Sequence, residues 1–331
     1  MRILVLPVGI GPSPRAPGGQ LAASHSRTPA RKAFRSLMLL PLPLFGVCDG
    51  ACIGGSNRIG LQHSAMKRLR QTSTIRKNFE MAERRGFSRA ELIVMCGRFN
   101  ITSDPLTRLL MELVNMPYEG RDNYNAAPTE KIPVVRIVPS GLPHAGEPEL
   151  VPMRWWLTPY WAKEMTTKYS MFNAKSETAA TSPAFREPFR KRRCVVPVTG
   201  FYEWCRDVEP KLPYLIKASK HGGLLLAGLW DRWVNAETQE EVLSFTILTA
   251  PAHPDFAFVH NRQPVMLSIA EARKWLEPDI PTTEMTDLFG ARLPMALDLL
   301  PVSAYVNNAR NKGPQAAEPV GAPIHLSGLE G

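Results

Sequence analysis

Hydrophobic and polar positions alternate with two different periods along the chain. Four leucines recur at helical spacing after Pro105, which predicts a helix that begins at Ser103 or Asp104. A second helix is predicted over residues 269–276, with Ser268 as its N-cap. Between the two helices, short runs rich in β-branched and aromatic residues predict strands. These runs are residues 132–138, 150–156, 194–204, 214–218, 224–234, 244–249 and 264–267.

The many strands and few helices predict a single α+β domain. We expect a curved, barrel-like, mainly antiparallel sheet with flanking helices. The 237 residues that follow Val94 suit one compact domain, and they contain no internal repeat. The predicted boundaries are a catalytic domain over residues 95–321 and a C-terminal tail over residues 322–331.

Residues 1–94 have a different composition. They are rich in Pro, Gly, Ser and Arg, with little periodicity up to Gly60, which favours a disordered extension, a removable leader or a misassigned upstream start. An apolar run at residues 37–47 resembles a signal peptide, but Pro41 and Pro43 interrupt it. The run is also too short to span a membrane, so no membrane association is predicted. Residues 71–94 fit either a basic helix or a solvated arm.

The charge of the chain is concentrated in the same segment. Residues 1–94 carry fifteen basic and four acidic side chains, a net charge of +11 against +10 for the whole chain. The remaining residues therefore have a net charge of −1. Overall charge is no evidence that the main domain binds nucleic acid, so DNA binding there would need a local basic patch.

The five cysteines are too few and too irregularly spaced for a disulfide framework, which favours a reducing, cytoplasmic setting. Cys48 and Cys52 lack a second pair or a histidine cluster, so no metal site is predicted. No glycine-rich nucleotide loop is present either. We therefore expect no cofactor.

Cys96 has a distinctive context, because Met95-Cys96-Gly97-Arg98-Phe99 reads like the start of a protein. If translation starts at Met95, removal of that methionine leaves Cys96 at the N-terminus. The pKa of an α-amine is about 7.7–8.0, against about 10.4 for lysine, so much more of it is neutral near pH 7. A neutral amine can attack an aldehyde, and the adjacent thiol can then close a five-membered thiazolidine ring. An internal cysteine offers only its thiol.

Five more short motifs follow Met95–Phe99 in order. They are Tyr124-Asn125-Ala126-Ala127-Pro128-Thr129, Arg154-Trp155-Trp156-Leu157-Thr158-Pro159, Asn173-Ala174-Lys175-Ser176-Glu177-Thr178, Gly200-Phe201-Tyr202-Glu203-Trp204 and His260-Asn261-Arg262-Gln263-Pro264-Val265-Met266. Together the six resemble the SRAP family, the SOS-response-associated peptidase-like proteins, of the abasic-site cross-linking type. The resemblance runs from Met95 to about Gly321.

Three positions depart from the family pattern. Lys175 stands where arginine is common, which keeps the charge but loses the two-pronged donor geometry. Asn261 and Gln263 replace the more usual Asp and Met around Arg262, which could alter the alignment of His260.

The resemblance implies covalent capture of abasic sites in single-stranded DNA, which shields the lesion during a DNA damage response. Cys96 would supply the amine and then the thiol. Asn173 would position the substrate by hydrogen bonding, Glu203 would act as an acid/base partner, and His260 would donate and accept protons. A monomer that is cytoplasmic, and nucleoid-associated when engaged on DNA, is expected.

The residue types suit this chemistry independently. Imine formation needs proton transfer in both directions, and histidine titrates near neutral pH. In a strand, Glu203 shares a face with Phe201 and Cys205, and such apolar surroundings favour the neutral form of a carboxyl group. The alternative is that Glu203 and His260 are structural and that Asn173 caps a turn.

DNA contacts are predicted from basic and aromatic residues. The phosphate-binding candidates are Arg98, Lys175, Arg186 and Arg262, and the densest basic run is residues 186–193. Trp155 and Trp156 are candidates for stacking on bases. Adjacent strand residues point to opposite faces, so we expect only one of these two tryptophans to face DNA.

Two other functions remain open on sequence grounds. A cysteine peptidase or autopeptidase could use Cys96, Glu203 and His260, and would cut before Cys96. A protein that reads single-stranded DNA without bonding to it is the non-enzymatic alternative.

Overall fold

A computed structural model describes residues 97–166, 168–205, 210–220 and 222–329. The predictions for the basic extension, the Cys48/Cys52 pair and Cys96 itself lie outside these residues. The strands are β1 Phe99–Ile101, β2 Asn123–Ala126, β3 Lys131–Ile137, β4 Pro148–Trp155, β5 Asn173–Lys175, β6 Arg193–Val198, β7 Gly200–Trp204, β8 Pro213–Ala218, β9 Leu224–Val234, β10 Glu241–Pro251, β11 Arg262–Pro264, β12 Met266–Leu267, β13 Leu297–Pro301 and β14 Ile324–Leu326. The α-helices are α1 Ser103–Val114, α2 Ser176–Ala179, α3 Arg186–Lys191 and α4 Ile269–Leu276, and 3₁₀ turns lie at Thr282–Phe289, Ala304–Asn307 and Pro314–Ala317.

Both predicted helices are confirmed. Helix α1 ends at Asn115, whose φ of 56° is left-handed, a conformation that asparagine tolerates. The Ser268 side chain accepts a hydrogen bond from the Glu271 backbone N–H, and the Glu271 side chain bonds back to Ser268, so α4 begins with a capping box. The buried leucines of α1 are the four at helical spacing, Leu106, Leu109, Leu110 and Leu113.

Five strands close into a barrel. They pair in the order β10-β4-β3-β6-β9, and β9 pairs back to β10. All these pairings are antiparallel except that of β10 with β4. The predicted α+β fold with a barrel-like, mainly antiparallel sheet is therefore confirmed. Closure leaves the barrel itself without an open edge at which another chain could pair.

A second sheet packs beside the barrel, with the strand order β14-β13-β8-β7-β1-β2. Here the prediction of one strand over residues 194–204 is wrong, because β6 belongs to the barrel and β7 to this sheet. The chain changes sheets at Thr199. Glycine follows there because a Cβ on Gly200 would lie 2.6 Å from the Ile216 carbonyl oxygen of β8.

Strand β10 organises the site, because two short strands flank its last residues. Asn173 of β5 lies opposite Ile247 in parallel register, and Arg262 of β11 lies opposite Pro251 in antiparallel register. Residues distant in sequence therefore meet along one strand. Within the described ranges, no helix has the length and apolar character needed to cross a membrane.

Candidate functional site

Strand β7 separates two clusters of buried side chains. Phe201 and Cys205 belong to the main core, whereas Tyr202 belongs to a smaller cluster against which Trp204 packs. Glu203 alternates with Tyr202 and Trp204, so it lies on the main-core face and is only 1% exposed. The predicted alternation, which places Glu203 on the same face as Phe201 and Cys205, is therefore confirmed.

The segment that leads to His260 packs along the same face. The Phe256 ring lies 6.2 Å from that of Phe201. The Cys205 Sγ donates to the Phe258 carbonyl oxygen at 3.4 Å. Phe201 and Cys205 lie on either side of Glu203, so residues 256–258 pack against the face of β7 on which Glu203 lies.

His260 is 1% exposed, and its ring is held by a tight turn. Its Nδ1 accepts a hydrogen bond from the Arg262 backbone N–H at 3.0 Å and lies 3.2 Å from the Arg262 carbonyl oxygen. The Arg262 N–H can donate to Nδ1 when that atom carries no proton, and the Arg262 carbonyl can accept from Nδ1 when it does.

The Arg262 side chain forms a clamp across β10. Its Nη1 and Nη2 donate to the two Glu177 carboxylate oxygens at 2.6 and 2.8 Å. Its Nε donates to Thr249 Oγ1 at 3.2 Å and Nη2 to the Thr249 carbonyl at 2.5 Å. The hydrogen bonds from Arg262 lower the pKa of Glu177 to about 2. Four of the five guanidinium hydrogens have internal acceptors, so a phosphate could bind Arg262 only beside Glu177 or in its place.

Strand β5 presents Asn173 and Lys175 next to this clamp. Asn173 is half-buried, Lys175 is exposed, and α2 follows at once with Glu177. The structure thus brings Asn173, Arg262 and the turn of His260 to the same end of β10. Sequence reasoning missed Glu177, although it lies in the same motif as Asn173.

The start of the domain pairs with the strand that carries Glu203. Phe99 lies opposite Phe201, and the Tyr202 N–H donates to the Arg98 carbonyl at 3.0 Å. One further step in this antiparallel register brings Gly97 opposite Glu203. Gly97 is buried, and in the sequence it follows Cys96 directly.

The Arg98 side chain is held by a separate group of hydrogen bonds. Its Nη1 donates to Asn125 Oδ1 at 3.0 Å and to the Val306 carbonyl at 2.7 Å, and its Nη2 to the Asn307 carbonyl at 3.2 Å. The guanidinium carbon lies 5.9 Å from the Trp204 ring centre. Sequence reasoning missed the fully buried Asn125 as a partner, although a quoted motif contains it.

The two candidate tryptophans differ in exposure. Trp155 is fully buried, its ring stacks 3.9 Å from Phe99, and its Nε1 donates to the Phe172 carbonyl at 3.0 Å. A base cannot reach it, so the assignment of Trp155 to DNA binding is wrong. Trp156 is half-buried, 5.2 Å from the Phe172 ring, and the prediction of one DNA-facing tryptophan falls on it.

The basic run does not form one patch. Arg186 is exposed at the start of α3. Arg192 forms an ion pair with Asp231 at 3.1 Å. Arg193 is 5% exposed and donates to the Trp275 carbonyl at 2.8 Å, at the end of α4. Of these three, only Arg186 is in an exposed position. In the described part of the chain, no group of three or more His, Cys, Asp or Glu residues could hold a metal ion.

The chain is similar to known proteins. A family model described as SOS response associated peptidase (SRAP) matches residues 95–309. Abasic site processing protein YoqW of Bacillus subtilis (strain 168) is 32% identical over 231 residues, covering 68% of this chain and 99% of that protein. Abasic site processing protein HMCES of Gallus gallus is 32% identical over 226 residues, covering 60% of this chain and 67% of that protein.

A solved structure shares the fold. The crystal structure of a protein from Bacteroides thetaiotaomicron matches with a TM-score of 0.56 at 23% identity, covering 66% of this chain and 98% of that one. The matched residues 95–309 contain all six motifs, and the relatives match over most of the same domain. The chain belongs to the SRAP family.

Proposed function

We propose that this protein captures abasic sites in single-stranded DNA by a covalent bond from an N-terminal Cys96, and so shields the lesion. The names of the relatives support abasic-site processing. The observation that carries the proposal is the β1–β7 register, which brings Gly97 opposite the buried Glu203. Cys96 is one peptide bond away from Gly97, and the segment of His260 packs on the same face.

The reaction needs only groups of this chain and the DNA. The abasic deoxyribose opens when its C1′ hydroxyl loses a proton and its ring oxygen gains one, which gives a C1′ aldehyde. The Cys96 amine attacks C1′, water leaves, and a C=N bond forms. The thiol sulfur then adds to the same carbon while the nitrogen takes up the electron pair and a proton. The product is a thiazolidine, and one water molecule is lost overall.

The site residues divide the proton transfers. His260 would donate a proton to the ring oxygen and later accept one. Glu203 is buried and can exchange a proton with the amine or the departing water. The Asn173 amide would hold the open sugar by hydrogen bonds. The catalytic domain of this proposal extends past the predicted boundary at residue 321, because β14 Ile324–Leu326 pairs with β13. Residues that precede Cys96 must be absent or removed.

The test compares adduct formation by wild type and by Cys96→Ser. Protein whose N-terminus has been sequenced as Cys96 is incubated with single-stranded DNA that contains one abasic site, and products are separated under denaturing conditions. Wild type should give a stable band. Cys96→Ser keeps the amine but lacks the thiol, so its band should need borohydride trapping. DNA with a tetrahydrofuran spacer, which has no aldehyde, is the matched control and should give none.

Two results would contradict the proposal. One is a protein that begins at Cys96 yet gives no stable band on abasic DNA. The other is loss of the band on addition of EDTA, because the proposed bonds use no metal. If a stable band forms on abasic DNA but not on the spacer DNA, a protein that binds single-stranded DNA without a covalent bond is also excluded.

Autoprocessing is the second candidate function. The pairing of β1, which begins three residues after Cys96, with the strand that carries Glu203 supports assisted hydrolysis of the Met95–Cys96 bond. Full-length chain should then lose residues 1–95 over time, and Cys96→Ala should retain them. If Cys96→Ala is cut at the same bond, the thiol is not the nucleophile.

A further inference from the structure

A loop between two strands of the site carries His260. We call residues 252–261, between β10 and β11, the His260 loop. Its first and last residues are joined, because the Ala252 N–H donates to the Asn261 carbonyl at 3.1 Å. Loops whose ends lie close together are compact units packed by their own side chains. The alignment of His260 therefore depends on what fixes this loop to the rest of the domain.

The buried side chain of Gln263 makes one of these attachments. Gln263 is the second residue of β11 and is 3% exposed. Its Oε1 accepts a hydrogen bond from the His253 backbone N–H at 2.9 Å, and its Nε2 donates to the Arg292 carbonyl at 2.6 Å. These partners fix the orientation of the amide, because a backbone N–H only donates and a carbonyl only accepts. The amide thus links the start of the His260 loop to a segment 29 residues beyond Gln263.

The Arg292 end of this link is itself fixed. The Arg292 Nη1 donates to Glu271 Oε1 at 2.7 Å, and its Nη2 donates to the Met266 carbonyl at 3.1 Å. Glu271 also completes the capping box of α4, because its Oε2 accepts from the Ser268 N–H at 2.8 Å. Gln263 therefore ties the His260 loop to the first turn of a helix.

The link reaches His260 through one peptide group. The His260 Nδ1 lies 3.0 Å from the Arg262 nitrogen and 3.2 Å from the Arg262 carbonyl oxygen. That carbonyl belongs to the planar peptide group that joins Arg262 to Gln263. The Gln263 backbone also pairs with Ala250 of β10. The bonds of the Gln263 side chain thus help to fix the peptide that orients the imidazole.

A side chain of the same length without an amide could not make this link. Methionine, which is more usual at this position in the family pattern, has no N–H to donate and only a weak acceptor. The His253 N–H and the Arg292 carbonyl would then lose their bonds to residue 263. A buried polar network whose members are bonded favours one arrangement over others. The amide therefore specifies the position of the loop as well as filling space.

We propose that Gln263 is a positioning residue for His260, and that its amide aligns the imidazole with the sugar through the Arg262–Gln263 peptide. This inference rests on the proposed function and adds a residue to it. Gln263 itself transfers no proton. Its loss should slow the reaction and leave DNA affinity unchanged, because misplacing a reacting group by about 1 Å can cost about 100-fold in rate.

The test separates rate from affinity. Protein that begins at Cys96 is mixed with saturating single-stranded DNA that contains one abasic site, and single-turnover gels give the rate of adduct formation. Fluorescence anisotropy with a tetrahydrofuran spacer in place of the abasic site gives the affinity without reaction. Gln263→Met keeps the length of the side chain but not its hydrogen bonds. It should react about 10- to 100-fold more slowly than wild type and bind the spacer DNA equally well.

Two further variants assign the effect to the link. Thr107→Val is the matched control, because it removes a side-chain partner of a backbone N–H, that of Tyr118 at 3.3 Å, outside the His260 loop. It should lower the stability to urea but keep the wild-type rate. Arg292→Met removes the bonds that fix the other end of the link, so it should also slow the reaction. In the double variant the two losses should not add, because both break the same link.

The results separate the two proposals. A Gln263→Met rate equal to that of wild type, or to that of Thr107→Val, overturns the positioning role. Additive losses in the double variant, or a loss of DNA affinity in place of rate, also overturn it. If Gln263→Met does not fold, Arg292→Met decides, and a wild-type rate for it overturns the link. The absence of adducts from wild-type protein that begins at Cys96 overturns the proposed function and this inference with it, whereas wild-type adducts with an unchanged Gln263→Met rate overturn this inference alone.

Discussion

The interior of the site and the loop between β4 and β5 differ in exposure. Glu203 and His260 are each 1% exposed and are held by the protein itself, whereas Tyr160 and Trp161 are more than half exposed, and the Tyr160 N–H is anchored to Asp231. A buried group keeps fixed partners and little water, whereas an exposed group is accessible to other molecules. Under the proposed function, substitutions in the interior should therefore change the rate at saturating DNA, and substitutions of exposed cations should change affinity.

The largest effect is expected inside the site. His260→Gln should slow adduct formation at saturating abasic DNA by about 10²–10⁴-fold, because it removes a group that can both donate and accept a proton. Single-turnover gel kinetics measure the rate, and anisotropy should show little change in affinity. His325→Gln is the control, since that histidine is 71% exposed and bonded to Asp298. A His260→Gln rate near wild type would mean that the buried turn is only structural.

Arg193 tests whether a member of the basic run belongs to the interior. Arg193→Leu leaves the Trp275 and Ile280 carbonyls at the end of α4 without their guanidinium donor. We expect a loss of about 2–4 kcal/mol in the free energy of unfolding, measured with urea. Arg190→Leu, an exposed neighbour on α3, should change it by less than about 0.5 kcal/mol. Equal losses of unfolding free energy for the two substitutions would contradict the conclusion that Arg193 belongs to the interior and Arg190 to the surface.

Glu177 tests the boundary between interior and surface through pH. Its pKa is about 2 in the folded protein against an ordinary 4.5, so its ionised form stabilises the fold above pH 4.5. That contribution is lost as pH falls from 4.5 towards 2. The side chain is 45% exposed, so screening limits the contribution to about 1 kcal/mol. Glu177→Gln should be less stable than wild type at pH 7, and the difference should shrink at pH 3. A difference independent of pH would mean that the ionic bond is not its source.

The same variant shows whether Arg262 contacts DNA. With Glu177 replaced by a neutral amide, a phosphate no longer competes with a carboxylate for the guanidinium. If Arg262 is a phosphate contact, Glu177→Gln should bind single-stranded DNA more tightly, with a salt slope steeper by about 0.7. An unchanged salt slope would indicate that Arg262 supports the turn of His260 and does not contact a DNA phosphate.

The smallest effect is expected at the surface. Arg186→Ala should lower the salt slope by about 0.7 and weaken binding only a few-fold, because an exposed cation contributes one phosphate contact. Salt titrations of anisotropy measure this. Arg108→Ala removes an exposed cation of α1 and should leave the slope unchanged. The same loss for both would show that only net charge matters.

Periodicity and caps gave the regular elements of the fold. Helix α4 was predictable with its Ser268 cap because both signals are local. The division of residues 194–204 between two sheets was not, because apolar residues continue through Thr199 and the cause is the close approach of β8 at Gly200. Strands β1, β5 and β14 have three residues each, too few to show a period.

The site was predictable in part for similar reasons. Alternation along β7 gave the face of Glu203 correctly. It also implied that one of Trp155 and Trp156 points inward, but only packing against Phe99 and Phe245 decides which one. The ion pair of Arg262 with Glu177 joins residues 85 positions apart, and no local pattern announces such a pair.

The loop between β4 and β5 begins and ends at neighbouring positions of the sheet, because Trp155 lies opposite Phe245 and Asn173 lies opposite Ile247. A segment whose ends are so close can be lengthened, shortened or replaced at small entropic cost, since closure entropy grows only slowly with length. The neighbouring strand β5 keeps its register through its own pairing with β10. The loop between β4 and β5 can thus be replaced by other sequences without a change in the strand pairing that holds Asn173.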